Sequence, residues 1–129
     1  MLIAAGVCLL LMTVRENADF WAGYLGADDR AHSDTPAALE RFGLAELADI
    51  PAAILSAGQK RRLGLARLLL AYRPLWLLDE PTVSLDATNR VRFTELINEH
   101  LAAGGLVVAA THLPLGLSNA RELPASGPL

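Results

Sequence analysis

The sequence predicts an α/β fold built on a parallel sheet, and three observations carry that prediction. From Ser56 to Ala110 the pattern runs helix, strand, helix, strand, the order that crossover-connected parallel strands require. The two strand candidates, Leu75-Trp76-Leu77-Leu78 and 106–110, are unbroken apolar runs, as strands buried on both faces are, not alternating ones. Each run ends in polar chemistry, Asp79-Glu80 after the first and Thr111-His112 after the second. In open parallel sheets the ligand lies at the carboxyl ends of the strands. The 129 residues are 53% hydrophobic and 19% charged, enough apolar material for one packed domain and too much for a disordered chain.

Each element has a local reason. Residues 1–12 are almost wholly apolar but shorter than the about 20 residues that span a bilayer. They lack the basic start and small-residue cleavage site of a signal peptide, and read as a buried strand or as a start region outside the fold. Thr13 and Glu16 are spaced as a capping box, and Val14, Phe20, Trp21, Tyr24 and Leu25 continue at mostly helical intervals. Residues 26–35 are polar and read as a loop. Pro36 suits the first turn of a short helix that stops at Gly43, 44–48 make another, and Pro51 interrupts the chain again. A helix follows from Ser56 to about Tyr72, halted by Arg73-Pro74. Asp86 caps a further helix over about 87–102, which Gly104-Gly105 terminates. Residues 113–129, rich in Pro, Ser and Gly, read as a loose tail.

Composition narrows the chemistry. A net charge of −3 gives no basic footprint for nucleic acid, and Lys60-Arg61-Arg62, the one dense basic run, reads as a solvated helix face. Cys8 is the only cysteine, so there is no internal disulfide, and in an apolar run it reads as a small core residue. Leu55-Ser56-Ala57-Gly58-Gln59 combines an N-cap at Ser56 with a return contact from Gln59. Gly58, lacking a Cβ, would let a phosphate approach the backbone at the positive end of the helix. The bland alternative is an ordinary capped helix. Asp79 and Glu80 place two carboxylates at a buried strand end, where a phosphate-bound Mg²⁺ is a natural counter-charge because it takes hard oxygen ligands. Asp79 would hold that ion, and Glu80 would orient the attacking water in phosphoryl transfer. Two solvated acids at a strand terminus are the alternative. His112 is either a structural histidine or a contact to a terminal phosphate.

Taken in order, these segments resemble the ABC ATPase family. Residues 55–59 resemble its signature motif, with Ala57 where the family usually has Gly. Residues 75–79 resemble Walker B, Glu80 the catalytic glutamate, Ser84-Leu85-Asp86 the D-loop and His112 the switch histidine. The resemblance runs from about 13 to 123 and implies a partial P-loop NTPase fold, a RecA-like ABC cassette with a helical subdomain. On that reading 13–54 form the helical subdomain, 55–123 the C-terminal part of the RecA-like core and 124–129 a tail. Residues 1–12 do not resemble the family. It further implies ATP and Mg²⁺ as cofactors and a second ATP-binding cassette, in a homodimer, as partner. Ser56, Ala57, Gly58 and Gln59 would then contact nucleotide held by the opposite subunit. Transmembrane subunits would provide the only membrane contact, at the cytoplasmic face of the inner membrane.

A narrower resemblance, to the CcmA-type haem-exporter ATPases of cytochrome c maturation, rests on 13–17 with Phe20-Trp21, the Ala57 signature, Lys60-Arg61-Arg62, Leu75-Trp76 and 111–115. Haem enters only through that resemblance, since no residue here reports haem chemistry. No G-x-x-x-x-G-K-[ST] occurs, so the backbone cradle for phosphates is missing, as is the family's Q-loop glutamine from 1–12. The expectation is a shortened gene product, a fragment or a misread start, with little ATPase activity alone and part of its core exposed. The alternatives are a non-catalytic fragment that pairs with an intact ABC ATPase, and the ATPase of another ABC transporter. A DNA-repair or translation ATPase fits the acidic balance poorly, and there is no second cassette.

Overall fold

The computed structural model describes residues 2–3, 10–26, 34–111, 115–117 and 120–121. Helix α1, Val14–Leu25, starts where the sequence places it: Thr13 Oγ1 accepts from the Glu16 N–H and Glu16 Oε1 accepts from the Thr13 N–H, both at 3.1 Å. Two further first-turn donors find backbone acceptors, Val14 N–H on Ile50 O (3.0 Å) and Arg15 N–H on Ala48 O (2.8 Å). The helix ends at Gly26, left-handed with φ of 70°. Beyond its end, Arg73 donates to Leu25 O (2.7 Å), which satisfies a terminal carbonyl.

Helix α2, Thr35–Arg41, is capped by Asp34, whose side chain accepts from the Ala37 N–H (2.9 Å), with Pro36 in the first turn. The expected helix over 44–48 is instead a single 3-10 turn, Ala45–Leu47. The carbonyls of Ala48 and Ile50, which a longer helix would use internally, are taken by α1. The expected helix from Ser56 to Tyr72 is two, α3 (Ala57–Leu65) and α4 (Arg67–Leu70). Between them Leu69 N–H bonds Ala66 O at i−3, a tightened turn, and Ala71 is already extended with φ of −142°.

Strands β1 (Leu2–Ile3), β2 (Leu75–Asp79) and β3 (Leu106–Ala110) form a parallel sheet in the order β1-β2-β3. Leu2 aligns with Leu77, and Leu75 through Asp79 align with Leu106 through Ala110. Helix α5, Ala87–Ala102, provides the crossover and begins at Asp86 as expected. The expectation that β2 and β3 are buried on both faces is not met among the described residues. Trp76 and Leu78 are buried and Val107 and Ala109 pack on the core, but Leu106 (64% exposed) and Val108 (57%) on the other face stand open. Among the described residues one face is packed and the other open, so the strands alternate in burial although their sequence does not.

The apolar interior is continuous from Val14, Leu39 and Phe42 through Leu65 and Leu68 to Trp76, Phe93 and Ile97. At its centre the Trp76 and His100 rings stack with centroids 3.8 Å apart. His100 Nε2 lies 3.0 Å from Pro74 O, so the C-terminal turn of α5 is bound to the start of β2.

Candidate functional site at the carboxyl edge of the sheet

The site begins with the cap of α3. Ser56 Oγ accepts from the Gln59 N–H (3.2 Å) and Gln59 Oε1 accepts from the Ser56 N–H (2.8 Å), the reciprocal box read from the sequence. The box engages the N–H groups of Ser56 and Gln59, while those of Ala57 and Gly58 lie at the positive end of the helix. Ser56 and Ala57 are exposed and Gly58 is half-buried.

The sequence assigns Gly58 to phosphate approach, and the structure adds a second constraint at the same position. A Cβ on Gly58 would lie 2.6 Å from the carbonyl oxygen of Ser84. What the missing side chain admits here is the protein's own backbone, 26 residues away.

Asp79 closes β2 opposite Ala110 and is exposed; Glu80 leaves the sheet, its N–H donating to Ala110 O at 2.7 Å. Among the described residues Glu80 (φ 44°) and Ser84 (φ 68°) are the non-glycine residues with positive φ, and they bracket one turn. Inside it Val83 N–H reaches Glu80 O (3.3 Å) and Leu85 N–H reaches Thr82 O (3.1 Å), while Pro81 and Thr82 are buried. Leu85 is buried, and Asp86 leads directly into α5.

Asp86 Oδ1 accepts from the Asn89 N–H (2.8 Å) and from its side-chain amide (2.9 Å). The backbone N–H is the larger influence holding this carboxyl below its ordinary value. The Asn89 amide and the Arg62 and Arg92 guanidiniums add to it, against an opposing desolvation.

Arg62 does not belong to a solvated face, as the basic run suggested. Its guanidinium donates to Phe42 O (2.8 Å), and burial lowers its pKa, with Arg92 acting in the same sense and Asp86 opposing. It ties α3 to the end of α2.

The structure therefore joins Ser56–Gln59, Asp79–Glu80 and Ser84–Asp86 at one edge of the fold, with the Gly58–Ser84 contact as the link. His112 lies outside the described residues. Neither the left-handed turn ends nor the Gly58–Ser84 contact was read from the sequence. Thr82-Val83-Ser84 carries no Gly or Asn to signal a positive φ.

The donor set bears on a metal. No group of three or more His, Cys, Asp or Glu side chains converges among the described residues. Two adjacent carboxylates fit a hard cation that brings phosphate and water oxygens with it, and do not fit one caged by protein.

A capped helix, a strand ending in two acids and the turn that follows it, in this chain order, are the parts of an ATP-binding cassette. The profile of the ABC transporter family matches residues 6–83, more than half of the chain, and the chain belongs to that family. The match begins within the apolar N-terminal stretch and ends one residue before Ser84.

Among curated relatives, the cytochrome c biogenesis ATP-binding export protein CcmA of Rhodopseudomonas palustris (strain BisB5) is 54% identical over 112 residues, covering 87% of this chain and 54% of the relative. The protein of that name from Cereibacter sphaeroides is 55% identical over 112 residues, covering 87% and 51%. The chain spans about half the length of the curated relatives it matches. An ATP-binding subunit of an ABC transporter superposes with a TM-score of 0.74 at 24% identity, covering 87% of this chain and 48% of that one. A dimeric ATP-binding cassette in a post-hydrolysis state, bound to ADP and Pi, superposes at 0.69 and 25% identity, covering 86% and 51%. The fold is thus part of the P-loop NTPase cassette that the motifs implied.

Proposed function

We propose that the chain is the signature-and-Walker-B portion of an ATP-binding subunit that couples ATP hydrolysis to haem export in the maturation of c-type cytochromes. The observation that carries the reading is the pairing of Asp79 and Glu80 at the carboxyl edge of β2 with the capped N-terminus of α3 beside the same turn. The relatives' name, cytochrome c biogenesis ATP-binding export protein, supplies the transport role.

Asp79 would hold Mg²⁺, directly or through water, and the ion would supply positive charge beside the nucleotide's phosphates. Glu80 accepts a hydrogen bond from the attacking water and orients it toward the terminal phosphorus, whose bond to the ADP oxygen breaks. His112 contacts the terminal phosphate. Ser56, Ala57, Gly58 and Gln59 present the end of α3 to nucleotide on a second cassette, so two copies work as a pair. The subunit sits on the cytoplasmic face of the inner membrane, held there by transmembrane subunits. No helix among the described residues is long and apolar enough to cross a membrane itself.

The test compares ATP binding and turnover by the chain with those of a version extended upstream to carry a phosphate-binding loop. The extended form is expected to bind and hydrolyse ATP, and its Glu80→Gln variant to bind but turn over at least about 100-fold more slowly. Unchanged turnover in Glu80→Gln would refute the assignment of Glu80. Tight ATP binding by the short chain would place the nucleotide site elsewhere.

A further inference from the structure

Gly58 and Ser84 touch although 26 residues separate them, and neither the cap of α3 nor the strand-end acids needs that contact. Ser84 is left-handed at φ 68° without being glycine, and Glu80, four residues earlier, is left-handed at φ 44°. Such backbone persists only where its surroundings over-determine it. The surroundings are visible at each end. Glu80 is fixed by its N–H on Ala110 O (2.7 Å), and Leu85 by its N–H on Thr82 O (3.1 Å). Asp86 is fixed by its cap on Asn89 (2.8 Å). At Ser84 the carbonyl lies against the Gly58 Cα, in the space a Cβ would fill.

We infer that Gly58 is a positioning residue: its bare Cα seats the Ser84 carbonyl and thereby sets where the turn holds Glu80. A methyl group at 58 would stand 2.6 Å from that oxygen, where ordinary contact begins at 3.4 Å, so the carbonyl must withdraw by about 0.8 Å. The obstacle is backbone, which cannot swing aside as a side-chain tip does. With Asp86 pinned by its cap, the displacement runs back along the five-residue turn to Glu80. The first turn of α3 and the carboxylate that leaves β2 therefore move as one unit, within one chain and with no nucleotide present. The catalytic consequence rests on the reading of Glu80 given above, whereas the structural coupling does not.

The experiment is amide hydrogen exchange, read residue by residue on the nucleotide-free chain, for wild type and Gly58→Ala. Expected is acceleration of at least about tenfold at the Glu80 and Leu85 amides, with the amides of α1 unchanged. A glycine that served only the approach of phosphate would leave both amides as they were without nucleotide, and that result overturns the inference. If Gly58→Ala does not fold, Gly58→Ala/Ser84→Gly is measured instead, since glycine at 84 lets the carbonyl turn away. Recovered folding supports the coupling, and a double variant as unfolded as the single one refutes it. Turnover of the upstream-extended form then separates the two readings. Exchange that moves while turnover does not leaves the coupling standing and removes Glu80 from catalysis.

Discussion

Replacing Ser56 separates the two tasks assigned to the start of α3. Ser56→Ala removes the Oγ that accepts from Gln59 N–H at 3.2 Å. The return bond, Gln59 Oε1 to Ser56 N–H at 2.8 Å, survives the change but loses its reciprocal partner. Loss of such an N-cap costs about 1 kcal/mol. An unfolding entropy of roughly 2.1 cal/mol/K per residue gives about 0.27 kcal/mol/K for 129 residues, so Tm should fall by about 4 °C. Thermal unfolding followed by circular dichroism reads this directly. Ser56→Asp keeps an acceptor at the cap and adds a charge the helix dipole favours, so its Tm should equal or exceed that of wild type. The same carboxylate would repel a phosphate brought to that terminus. The extended, hydrolysing form should therefore lose turnover in Ser56→Asp while keeping its stability. A Ser56→Ala Tm within about 1 °C of wild type would show that the box does not hold the helix. Full turnover in Ser56→Asp would show that the terminus does not face an anion.

Three further outcomes follow from the packing. Trp76→Ala should cost about 3–5 kcal/mol in urea unfolding, since Trp76 is 1% exposed and its stack on His100 is lost with it. Trp76→Phe should cost distinctly less. Asp86, whose folded carboxyl lies below its ordinary value, adds stability that is fully present above the unfolded pKa of about 3.9. That contribution is lost as pH falls through the lower folded value. The gap in urea midpoint between wild type and Asp86→Asn, which can still cap, should therefore close on acidification below about pH 4. Val108→Thr should change stability by no more than about 0.5 kcal/mol, because Val108 is 57% exposed on the open sheet face, and a larger loss would mean that face is packed.

What the sequence disclosed and what it withheld divide by distance along the chain. The boxes at Thr13 and Ser56 and the cap at Asp86 close within three residues, so their spacing is the whole signal. The cap at Asp34 is equally local, three residues from Ala37, but was read only as part of the polar loop before Pro36. The strands announced themselves by apolar content, but content cannot say how many faces are covered, and alternation emerged only from the packing of one face. Arg62 was misread for the same reason: its acceptor, Phe42 O, lies 20 residues away and shows in no local pattern. The break at Ala66 follows Gly64 by two residues, and a single glycine within a helical pattern does not by itself mark a stop. At the site, residue types were legible because phosphate chemistry restricts them. Their mutual support was not, because it runs through backbone atoms that any residue possesses.

That distinction accounts for the one departure of 55–59 from its family's pattern. Ala57 stands where glycine is usual, at the first helical position, with its side chain exposed. A methyl group there meets solvent, and alanine favours the helix over glycine by up to about 1 kcal/mol. Gly58, the next residue, has no such latitude, because its Cα carries the Ser84 carbonyl. If both glycines served chiefly to admit phosphate, alanine should be as costly at 57 as at 58. If the second serves chiefly to seat the turn, alanine should be tolerated at 57, where this chain carries it, and costly at 58.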